Sequence, residues 1–85
     1  MFVSETERRL GELQQHLESQ SMEEVARAAH TIKGTAGNFS ASQLSRLARE
    51  IESSCQSHEV EKVWELLPLI QNEFKKYRST LEQHA

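Results

Sequence analysis

Apolar residues in this 85-residue chain return every three to four positions, the spacing that lays them along one side of an α-helix. Leu10, Leu13 and Leu17 make a first stripe. Val25, Ala29, Ile32 and Ala36 make a second, within about 60° of one another at about 100° per residue. Leu44, Leu47, Ala48, Ile51 and Cys55 make a third. Val60, Val63, Trp64, Leu67, Ile70, Phe74, Tyr77 and Leu81 make a fourth. No stretch alternates with the period of a strand.

Polar punctuation falls between these stripes. Ser4 with Glu7, Ser21 with Glu24 and Ser40 with Gln43 each have the spacing of a capping box, a helix-start signal. Phe2 and Val3 lead into the first helix, and Ser19-Gln20-Ser21 ends it. The second helix fades at Gly37-Asn38, and Ser57 is expected to cap the fourth. Pro68 lies inside that fourth helix, where it deletes the bond to the Trp64 carbonyl. The apolar stripe keeps its phase across the proline, so a kinked single helix is expected. Lys75, Lys76 and Arg78 near its end suit the negative pole of the helix dipole. Short connections between consecutive helices predict an all-α, antiparallel up-down-up-down four-helix bundle, one domain over residues 1–85.

Composition narrows the function. The net charge is −3, with 27% charged residues of both signs, so no basic surface points to nucleic acid. No apolar run approaches the roughly 18 residues that span a bilayer, and no signal-peptide pattern opens the chain; a soluble domain is expected. The single cysteine, Cys55, excludes an internal disulfide, fits a cytosolic setting, and reads as a small buried hydrophobe. His16, His58 and His84 have no partners at metal-ligand spacing, so no metal site is expected. Phe2-Val3 and Gln83-His84-Ala85 have the look of the edges of an excised or free-standing module.

The second helix contains the anomaly. Gly34 and Gly37 lie inside a helical pattern, where each costs roughly 1 kcal/mol relative to Ala, and both fall on the side of His30. His30, Lys33, Gly34 and Gly37 cluster about a third of a turn from the apolar stripe. That face offers one imidazole, one ammonium at i+3 and bare backbone. Gly37-Asn38 taken alone also reads as an ordinary helix stop with a left-handed glycine; Gly34, nearly a full turn earlier, has no such explanation.

His30-Thr31-Ile32-Lys33-Gly34-Thr35-Ala36-Gly37 resembles the His-x-x-Lys-Gly-x-x-Gly signature of histidine-containing phosphotransfer (HPt) domains, the relay modules of multistep phosphorelays. The Ala-rich run before His30, the Leu44–Glu52 helix after it and the chain length also fit that family. The resemblance implies a four-helix bundle whose histidine carries a phosphoryl group between response-regulator receiver domains, one of which can belong to a hybrid sensor kinase. It implies no cofactor of the chain's own, with Mg2+, the phosphorylated aspartate and a lysine supplied by the receiver. A cytoplasmic monomer is implied as well, free or as the tail of a membrane-bound hybrid kinase.

Within that resemblance the site residues take roles. Glu52 lies beside the third stripe, at about 80° from Leu44, where it can face the neighbouring helix. The family position matching it commonly carries a Glu or Gln that bonds the imidazole. A Glu acceptor at Nδ1 would leave Nε2 of His30 to attack. Lys33 would offer positive charge to the transferred group, and Gly34 and Gly37 would form the docking face. No nucleotide-binding loop is present, so ATP is not expected to be used directly. Two other classes stay open: a bundle that docks a partner without covalent chemistry, and a carrier of a metal or small molecule.

Overall fold

The computed structural model describes residues 2–38 and 41–83, which form four helices: α1 (Phe2–Glu18), α2 (Met22–Asn38), α3 (Ser42–Gln56) and α4 (Val60–Gln83). Consecutive helices pack on one another, and α4 returns more loosely against α1, giving a four-helix bundle. The 24 residues of α4 span about 36 Å at 1.5 Å per residue, nearly the whole 39 Å length of the molecule. The helix runs unbroken through Pro68.

Cross-links between helices set the sense of packing. Lys33 on α2 meets Ser45 on α3, while His30 meets Glu52. Glu7 on α1 meets Arg78 on α4, while Gln14 meets Gln71. Numbers rise on one helix as they fall on the other, so both pairs are antiparallel.

The first three stripes are buried as expected, Leu13, Ala29 and Ile51 completely. Cys55 is buried at the foot of the third, and burial, with the Glu52 charge beside it, pushes its thiol pKa up. In α4 the buried stripe is Val63, Leu66, Leu67, Ile70 and Phe74, with Tyr77 partly covered. Val60 and Trp64, expected in that stripe, are 40% and 44% exposed. The register explains this. With Gln71 opposite Gln14 and Arg78 opposite Glu7, Trp64, on the same side of α4, falls past the end of α1 at Glu18 and out of that helix's cover. The side chain of Leu81 lies outside the described residues.

Helix boundaries differ from the expected caps. Already helical from Phe2, α1 places Ser4 inside its first turn, and Glu7 pairs with Arg78 rather than closing a box. Ser21 does precede α2, its carbonyl accepting from the Val25 N–H at 3.0 Å, but Glu24 turns to Arg27 at 3.0 Å. Ser40 lies outside the described residues. The N-cap of α3 is the buried Ala41, with no side-chain cap, while Gln43 accepts from Arg46.

Ser57 caps the end of α3, not the start of α4. There the N–H of His58 bonds to Cys55 O and that of Glu59 to Ser54 O, the paired bonds of a Schellman motif with His58 left-handed at φ 59°. The end of α1 repeats it: Gln20, at φ 61°, bonds back to Leu17 O, and Ser21 to His16 O. Glycine would be favoured at both positions and occupies neither.

Candidate functional site

The site lies where α2 and α3 face each other. His30 is on the outer edge of α2, its side chain 66% exposed, while Glu52 on α3 is 16% exposed. The imidazole Nδ1 lies 2.9 Å from Glu52 Oε2. A carboxylate can only accept, so Nδ1 is the donor in this contact, and in the neutral imidazole the lone pair then lies on Nε2. Nε2 has no hydrogen-bond partner among the described residues.

The other oxygen of Glu52 is also committed. Lys33 Nζ donates to Oε1 at 2.8 Å, so residues at i and i+3 on α2 share one carboxylate of α3. That lysine's backbone is tied to α3 too, because Ser45 Oγ donates to the Lys33 carbonyl at 3.1 Å. The Lys33 hydrogen bond is the largest cause holding the Glu52 carboxyl below the usual carboxylate range; partial burial opposes it and His30 reinforces it. Glu52 is thus kept ionised, which preserves it as an acceptor for Nδ1–H.

Gly34 and Gly37 are both exposed and lie in α2 without positive φ. A Cβ built on Gly34 would meet nothing within 4 Å; on Gly37 it would only reach Ser45 Oγ at 4.0 Å. Among the described residues, neither backbone conformation nor packing requires a glycine at either position. The left-handed helix stop considered for Gly37 is absent.

The model of the Hpt domain family matches residues 1–80. The chain belongs to the Hpt family. Hpt domains serve histidine phosphotransfer in phosphorelays and interact there with receiver domains. No curated protein and no solved structure matched the chain.

Among the described residues of this Hpt domain, no helix is long and apolar enough to cross a membrane. Nor do three or more His, Cys, Asp or Glu side chains group to hold a metal ion there. The structure brings His30, Lys33 and Glu52 into one hydrogen-bonded unit with Gly34 and Gly37 beside it. The sequence gives no notice of Ser45, or of Arg46 and Arg49, which line the adjoining groove between α2 and α3. Their positions seven, six and three residues before Glu52 would have marked them once Glu52 was placed.

Proposed function

We propose that His30 reversibly accepts a phosphoryl group at Nε2 from the phosphoaspartate of one receiver domain and passes it to the aspartate of another. The Nε2 lone pair attacks phosphorus, the P–O bond of the acyl phosphate breaks, and the aspartate leaves as a carboxylate. No proton needs to move, because Nδ1 keeps its hydrogen throughout. The ring gains positive charge as the N–P bond forms, and the Glu52 carboxylate at 2.9 Å from Nδ1 is placed to stabilise it.

Lys33 acts twice in this reading. It keeps Glu52 ionised, and its ammonium sits one turn from the imidazole, where it lends positive charge to the transferred oxygens. The receiver contributes Mg2+ and its own lysine, so this domain needs neither ATP nor a metal, and the relay operates in the cytoplasm. Gly34 and Gly37 leave room for the receiver to close over the imidazole.

The observation that carries this reading is the single contact Nδ1 to Glu52 Oε2 in a ring that is 66% exposed, which turns Nε2 away from any partner among the described residues. Incubation with a phosphorylated receiver domain is expected to yield acid-labile, base-stable phosphate on the protein. In His30→Gln that label is expected to vanish while helical content and Tm stay near the parent's, since the ring is exposed. Label persisting in His30→Gln would move the site to another histidine, and no label on the parent would overturn the reading.

A further inference from the structure

Beyond the His30–Glu52–Lys33 unit, α2 and α3 border a shallow groove of about 350 Å³ lined by Lys33, Gly37, Ser42, Ser45, Arg46 and Arg49. Three of these residues are cationic and none is acidic, in a chain whose net charge is −3. Two of the cations are braced by their own chain. Lys33 is held on Glu52 at 2.8 Å. Arg46 donates from Nε to Gln43 Oε1 at 3.0 Å and places Nη1 3.4 Å from Glu50. Arg49 is exposed and makes no ion pair among the described residues.

We infer that this groove seats an acidic surface of the partner receiver domain, with Arg49 as the residue that sets how readily that partner is engaged. The inference rests on the phosphotransfer reading, since Lys33 joins the groove to the reacting imidazole through Glu52. Its physical basis is charge complementarity. An unpaired guanidinium offers a two-pronged donor to a carboxylate, and exposed charges at an interface rim act mainly on association rate and its salt dependence. Arg46, fixed by Gln43 and Glu50, presents a preset direction; Arg49, free of any such hold, contributes its full charge to the encounter. Gly37 keeps the groove open at the α2 side, where a longer side chain would enter it.

The test compares receiver-to-His30 transfer in the parent, Arg49→Glu and Arg49→Lys, using a phosphorylated receiver domain that transfers to the parent. Each rate is divided by that variant's labelling with phosphoramidate, a donor too small to need a docking surface. Circular dichroism melts check the fold. Arg49→Glu is expected to lower kcat/KM for the receiver about tenfold at low salt, through KM rather than kcat. Arg49→Lys should recover most of that loss. The gap should close near 1 M salt, where the screening length falls to about 3 Å. If Arg49→Glu transfers at the parent's normalised rate, or faster, the acidic-surface inference is overturned while the relay reading stands. If no phosphorylated receiver domain can be found that labels the parent, and phosphoramidate does not label it either, the relay reading falls and this inference falls with it.

Discussion

Replacing Gly34 with alanine adds one methyl group to α2 where a Cβ meets nothing within 4 Å. The substitution therefore neither clashes with nor packs against the rest of the bundle, and its effect on stability reduces to helix propensity. Gly34 lies inside the 17-residue α2, four residues from its end at Asn38, so the gain is up to about 1 kcal/mol. For a domain of this size that corresponds to a Tm about 4–8 °C higher. Glutamine at the same place has nearly the propensity of alanine and should also melt no lower than the parent. Transfer should move the other way. In the proposed relay a receiver closes over Nε2, the side chain at 34 stands one turn beyond His30, and in-line attack tolerates little displacement. Gly34→Ala should slow transfer, and Gly34→Gln should nearly abolish it. Thermal melts paired with phosphotransfer assays on both variants supply the two readouts. A lower Tm for Gly34→Ala would mean that the glycine serves the fold, and parent-rate transfer by Gly34→Gln would put the docking face elsewhere.

Glu52→Gln should transfer faster than Glu52→Ala, because an amide oxygen still accepts from Nδ1–H whereas a methyl group does not; an imidazole 15N tautomer pattern unchanged in both variants would show that Glu52 does not orient the ring. The depressed Glu52 pKa contributes stability that is present above the usual carboxylate range and lost as pH falls through the folded value. Lys33→Ala removes the main cause of that depression, so its Tm deficit should be larger at about pH 7 than at about pH 3; a deficit independent of pH would contradict the coupling. Gln20→Gly and His58→Gly each relieve a left-handed side chain and should raise stability by up to about 1 kcal/mol in denaturant titrations; no gain at either would mean that those side chains stabilise their turns. Thr6 is buried with its hydroxyl unpartnered among the described residues, so Thr6→Val should stabilise by about 1 kcal/mol, and a loss would reveal a bond to that hydroxyl.

The apolar period was enough to read α1, α2 and α3, because each of those helices is covered along its inner face and the stripe coincides with burial. It misplaced Trp64 because coverage also depends on how far the opposite helix extends. That length became visible only with the register of α1 against α4. Ser57 looked like a helix start because serine serves both ends; what decided the matter was a left-handed turn at His58, a residue type that signals such a turn far more weakly than glycine does. At the site, helix phase brought Glu52 toward His30. It did not reveal that Lys33 would take the second carboxylate oxygen, since that depends on a shift of one residue between two packed helices. Arg49 was passed over for a related reason: a charged residue on an exposed face has no meaning until the groove beneath it is defined.

The placement of glycine ties these observations together. Two turns that favour glycine hold Gln20 and His58, while all three glycines lie in helices, at 11, 34 and 37, without positive φ. Stability is forgone on both counts, roughly 1 kcal/mol at each helical glycine, a real fraction of the 5–15 kcal/mol that holds a small domain folded. An open Cβ position does not by itself identify a docking face, because Gly11, in the groove between α1 and α4, is just as open. What separates Gly34 and Gly37 is their company: they share a helix face with an imidazole whose Nε2 is free and whose Nδ1 is held by an ionised carboxylate. An added side chain at 11 would leave that nitrogen as accessible as before, whereas one at 34 would, in the proposed docking, stand on the receiver's side of it. Gly11→Ala is therefore the matched control for Gly34→Ala, with the same expected gain in Tm and no loss of transfer. Equal loss of transfer in the two variants would mean that helix rigidity, and not access to His30, limits the reaction.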